Sequence, residues 1–86
     1  MTIPELTLEQ EQEMKKADLI KAERKVADKL RGFRVEQGLS QHALADKSGI
    51  DRKTVNRIEN GHFSPSLNTL FRLCDTLSVK VSEVVK

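Results

Sequence analysis

The sequence lacks tryptophan and tyrosine, and holds only three phenylalanines, one cysteine and two prolines in 86 residues. Each scarcity narrows what the chain can be. With Cys74 alone no intramolecular disulfide can form, and such cysteine usage fits a reducing compartment. Neither His42 nor His62 belongs to a recognisable metal-ligand set. No apolar run reaches the ~18 residues of a membrane span, and no basic-then-apolar leader is present, so the expectation is a cytoplasmic protein without a membrane segment. There is no phosphate-cradling glycine loop, no pair of catalytic carboxylates and no Ser/His/Asp set, so neither enzyme chemistry nor a cofactor is expected. Few aromatics beside abundant Leu, Lys, Glu and Ala favour an all-α fold. A chain this short buries only roughly 60–65% of its unfolded surface, enough for one domain with an economical core.

What is present is unevenly distributed. The net charge is only +2, but residues 1–13 carry Glu5, Glu9, Glu11 and Glu13 with no base, which leaves +6 on the remaining 73 residues. The body is basic and the tip acidic, an asymmetry that ordinary surface chemistry also produces.

Periodicity and punctuation give the elements. Pro4 precludes a regular helix at the start, and Thr7 with Gln10 three residues later reads as a capping box. Leu19, Ala22, Val26, Leu30 and Phe33 recur at helical spacing, ending near Gly38. Leu8 and Met14 do not continue that stripe, so residues 8–20 read as a weaker helical extension and about 21–37 as the first packed helix. Ser40 caps a short helix at 41–48 with Leu44 and Ala45 inward, and Gly49 stops it in the left-handed conformation. Asp51 caps the next helix, about 52–60. Pro65 and Ser66 introduce a fourth at about 67–77, with Leu67, Leu70, Phe71, Leu73, Cys74 and Leu77 as its apolar set. The valine-rich residues 78–86 permit a strand by periodicity alone, but a last helical turn closing the core is more economical.

On a wheel of about 100° per residue, Val55, Ile58 and Glu59 share the inner side of the third helix. Lys53, Asn56, Arg57 and Asn60 fall on the other side, flanked by Arg52 and Thr54. Ala45 is small enough for close approach and Gly49 supplies a sharp bend, as two helices crossing steeply at a short turn require. Such a second helix fits the DNA major groove, where arginine and lysine donate to guanine and asparagine pairs with adenine.

Over about residues 26–85 the sequence resembles the Cro/C1-type helix-turn-helix family, also called the Xre family, of bacterial and phage repressors. The resemblance rests on Leu30 and Arg34, "GLSQ" at 38–41, "LA" at 44–45, "GI" at 49–50, Val55, "IENG" at 58–61, Pro65 and the leucines of 67–77. It implies a five-helix, lambda-repressor-like DNA-binding domain at 21–86, behind an N-terminal extension at 1–20 for which the family offers no template. It further implies base reading by Arg52, Lys53, Asn56 and Arg57, and phosphate contacts from Gln41, Thr54 and Asn60. Gln41 would also brace the first reading residue, and Arg34 and Glu59 would form a partly buried structural ion pair. Two positions depart from the family pattern: Ser48, usually apolar, implies looser packing between the second and third helices, and Lys80 replaces the usual cap of the last helix.

The expected function is a sequence-specific regulator of transcription, a repressor acting as a homodimer on double-stranded DNA. Two rivals stand beside it: an antitoxin that binds its own operator and also a toxin, with residues 1–20 as the surface for that protein partner, and a protein-interaction module that keeps the fold without binding DNA. The alternative for that extension is a solvated lead-in that does little.

Overall fold

The computed structural model describes residues 7–86, and Pro4 and Glu5 lie outside them. Five helices follow in order: α1 (Leu8–Glu36), α2 (Gln41–Ser48), α3 (Arg52–Glu59), α4 (Leu67–Thr76) and α5 (Val81–Val85), with no strand among the described residues. The valine-rich end is therefore helical. Its first turn is held by the Glu83 carboxylate, which accepts from the Lys80 backbone N–H at 2.6 Å and so replaces the missing hydroxyl cap.

Local chemistry fixes the helix starts. The Thr7 hydroxyl accepts from the Gln10 N–H at 3.2 Å while the Gln10 side chain accepts from the Thr7 N–H at 2.9 Å, a reciprocal capping box. Ser40 and Ser66 cap α2 and α4 by accepting from the Ala43 and Thr69 N–H groups at 3.0 and 3.1 Å. Asp51 occupies the cap position of α3 but makes no side-chain cap bond, which differs from the sequence expectation.

The core is one cluster built from all five helices: Leu30 of α1, Leu44 and Ala45 of α2, Val55 and Ile58 of α3, Leu70, Leu73 and Cys74 of α4, Leu77, and Val84 of α5. Full burial of each large aliphatic contributes roughly 1.5–3 kcal/mol. Cys74 is buried there, and burial pushes its thiol pKa up, with the Glu83 charge adding to the effect.

Two expected apolar stripes are shorter than the sequence suggested. Leu19 and Ala22 are exposed, whereas Ala27, which lay off the stripe, is fully buried. The reason is the length of α1: its 29 residues run about 43 Å at 1.5 Å per residue, while the molecule measures 51 × 24 × 19 Å. Only its second half crosses α3 and α5; the first half projects past them as one continuous helix rather than a separate segment. Leu67 and Phe71 of α4, 75% and 61% exposed, likewise face outward instead of joining the core.

The α2–α3 junction is tight. Gly49 sits at φ 74°, the left-handed region, and its N–H and that of Ile50 both donate to the Ala45 carbonyl, at 2.9 and 3.2 Å. The half-buried Ser48 adds to the turn: its hydroxyl donates to the Ala45 carbonyl and accepts from the Ile50 N–H, each at 3.3 Å.

Candidate functional site

Val55 and Ile58 press α3 onto the core, and its remaining surface is set free by that packing. Arg52, Lys53, Asn56 and Arg57 are all exposed. They line a shallow, open concavity together with Gln41 at the start of α2 and Asp51. Among the described residues, the ion pairs are Arg24–Asp28 and Arg34–Glu59, and the His42 imidazole lies 3.8 Å from the Asp46 carboxylate. Among the described residues, none of the cations on the outer side of α3 has an ion-pair partner. Thr54 is half-buried on the flank and Asn60 is exposed at the far end.

Below this surface lies a buried anion. Glu59 is 4% exposed, and both its oxygens accept from Arg34 of α1, from Nε at 2.8 Å and Nη2 at 2.8 Å. Arg34 also donates through Nη1 to the Leu39 carbonyl at 2.7 Å. Two parallel N–H···O bonds fix geometry as well as energy. This fork ties the end of α3 to α1, and the Leu39 bond ties both to the segment before α2.

From Glu59 a line of carboxamides runs outward. Gln41 donates to Glu59 Oε1 at 3.2 Å, Asn56 donates to Gln41 Oε1 at 3.1 Å, and Asn60 donates to Asn56 Oδ1 at 3.1 Å. The bonds of Gln41 thus run to Glu59 and Asn56, not to Arg52, the partner expected for it. Reading the helix one wheel at a time could not reveal this, since Gln41 and Asn56 meet only when α2 and α3 cross.

A second junction was also absent from the sequence reading. The Ser64 hydroxyl donates to Glu23 Oε2 at 2.6 Å, and the Arg24 guanidinium lies so near Gly61 that a Cβ there would meet Arg24 Cζ at 3.3 Å. The middle of α1 is thereby held against the loop that follows α3. The available signal was Gly61 itself, a residue without a side chain just past a helix end, which permits close approach.

Comparison with known proteins agrees with this architecture. The helix-turn-helix family matches residues 30–84. An uncharacterized HTH-type transcriptional regulator of Methanocaldococcus jannaschii is 35% identical over 57 residues, which is 66% of this chain and 86% of that protein. The immunity repressor protein of Bacillus phage phi105 is 33% identical over 60 residues, 70% of this chain and 42% of the repressor. Among solved structures, the restriction-modification controller protein C.AhdI from Aeromonas hydrophila superposes with a TM-score of 0.69 at 37% identity, covering 79% of this chain and 97% of that one.

Proposed function

The chain belongs to the helix-turn-helix family of transcriptional regulators, Cro/C1-type, and from that premise we propose that it is a sequence-specific, double-stranded DNA-binding repressor that works as a homodimer. The observation that carries the reading is the outer side of α3: four polar or cationic side chains, Arg52, Lys53, Asn56 and Arg57, stand exposed above an anchored helix, in no ion pair among the described residues. In this reading α3 enters the major groove, about 12 Å wide, where Arg52, Lys53 and Arg57 donate to guanine and Asn56 pairs with adenine. Gln41, Thr54 and Asn60 meet phosphates and set the register without carrying sequence information. Two copies dock on half-sites about 34 Å apart, on one face of the duplex. The names of the phage immunity repressor and of the restriction-modification controller support a regulatory role.

Titration against a selected sequence and against random DNA, at two salt concentrations, tests the reading. Selective binding that survives competitor and weakens steeply with salt sustains it. No binding at low salt removes it.

The projecting half of α1 favours a second reading. Leu8, Leu19 and Ile20 are 70%, 54% and 56% exposed on a helix that reaches beyond the core. That suits an antitoxin whose residues 1–20 hold a toxin while residues 21–86 form the DNA-binding domain. Copurification of a tightly held second protein, lost when residues 1–20 are removed while DNA binding persists, would select the antitoxin.

A further inference from the structure

The carboxamide line from Glu59 to Asn60 has a direction, and the direction has a cause. Both oxygens of Glu59 already accept from Arg34, so the group offers only acceptors to anything else that touches it. Gln41 must therefore turn its NH2 toward Glu59, at 3.2 Å, which leaves its carbonyl facing away. That carbonyl accepts the NH2 of Asn56 at 3.1 Å, and the Asn56 carbonyl is left to accept from Asn60 at 3.1 Å. An isolated Asn or Gln amide can flip end for end at little cost; here a buried anion removes the choice at each step.

We propose that Glu59 is a positioning residue for base reading: through Gln41 it holds the Asn56 amide with its NH2 toward the start of α2 and its carbonyl toward Asn60, and so sets which base edge Asn56 accepts. The proposal rests on the DNA-reading assignment above. Gln41 and Asn56 each still have one N–H and one lone pair to offer. Asn56 therefore meets adenine with N7 on the Gln41 side, receiving the N–H, and N6 on the Asn60 side, donating to the carbonyl. Guanine carries O6 where adenine carries N6, so its oxygen faces the Asn56 carbonyl and is rejected. Arg52, Lys53 and Arg57 lie outside this line and keep their own preferences. Glu59 never touches DNA; its influence passes through two side chains.

The test compares the full chain with Gln41→Met, Glu59→Gln, Asn56→Ala, and Asn56→Ala combined with Gln41→Met, by selection of bound DNA from a random pool and by thermal melts. Gln41→Met leaves the Arg34–Glu59 pair in place, so it separates positioning from folding. The expected result is that Gln41→Met and Glu59→Gln each lower the preference for adenine over guanine about tenfold or more at the same operator position that Asn56→Ala affects. Preferences at other positions hold, and Asn56→Ala costs nothing further there once Gln41 is methionine. In the free protein, the Asn56 side-chain NH2 resonances shift in both Gln41→Met and Glu59→Gln. A uniform loss of affinity with every preference intact, or unmoved Asn56 resonances, overturns the proposal while leaving the regulator reading standing. A wild-type chain that selects no sequence overturns both.

Discussion

Replacing Glu59 by alanine is the sharpest energetic test of how α3 is held. The substitution removes the carboxylate that pairs with Arg34, whose side chain is 12% exposed against 3% for Glu59. Breaking a buried pair from one side costs about 3–5 kcal/mol, because the surviving charge is left without compensation. Arg34 keeps its bond to the Leu39 carbonyl and some water, which places the loss near the lower end, at about 3 kcal/mol. A chain of this length has roughly 4–13 kcal/mol of stability in total, so the variant falls toward the edge of folding. In a melt, about 3 kcal/mol corresponds to a fall in Tm of roughly 12–24 °C for a domain of this size. Urea and thermal unfolding followed by circular dichroism measure both quantities. The double variant Arg34→Met with Glu59→Leu strands no charge and should recover most of the loss. A cost below about 1 kcal/mol for Glu59→Ala is what an exposed pair would give, and it would refute the account. So would a double variant no more stable than the single one.

The remaining expectations concern other parts of the molecule. Arg57→Ala should relax the preference at one base position with Tm unchanged, whereas Thr54→Ala should weaken all sequences about equally; selection from a random pool separates the two. Gly49→Ala, at φ 74°, should cost about 1 kcal/mol or more in urea midpoints, while Gly32→Ala, in helix α1 with open space around the position, should gain roughly 0.5–1 kcal/mol. The Cys74 thiol, raised by burial, predicts a loss of stability in alkali. Below the ordinary thiol range both states are protonated and its contribution is fully present. As pH climbs from that range through the raised folded value, the unfolded chain ionises first and stability falls. The decline should be smaller in Cys74→Ala.

How much of this was legible in the sequence follows from the range of each interaction. Caps are local, so Thr7 with Gln10 and Ser40 gave helix starts that the structure places at the same residues. Asp51 marked the right boundary without making the bond, since nothing in sequence spacing tells whether a carboxylate turns toward the helix end or toward water. Stripes carry periodicity but not length. Leu19 matched the period of Leu30 and yet is exposed, because no described neighbour covers that part of α1. Leu67 and Phe71 were apolar without being core for the same reason: their side of α4 has no described neighbour to bury it. Contacts between helices were the least legible. The line from Glu59 to Asn60 depends on how steeply α2 and α3 cross, and so does the clasp of Glu23 and Arg24 on the loop after α3.

The division of chemistry on α3 has a physical logic of its own. At eight residues it is too short to persist as an isolated helix in water, where roughly 12–15 residues are marginal. Its order must come from outside, and it comes from two directions: Val55 and Ile58 on the core, and Glu59 clamped by Arg34. The second anchor is polar, and a polar anchor can pass its direction on to neighbours as an apolar one cannot. Arginine and lysine need no such guidance, since every hydrogen they present is a donor and any rotation offers the same sign to a base. A carboxamide presents a donor and an acceptor, so its value in discrimination depends on which end points where. The structure spends fixed hydrogen bonds on the amides of Gln41, Asn56 and Asn60 and, among the described residues, leaves the outer cations without an ion-pair partner, which is the allocation expected if orientation is needed only where it carries information.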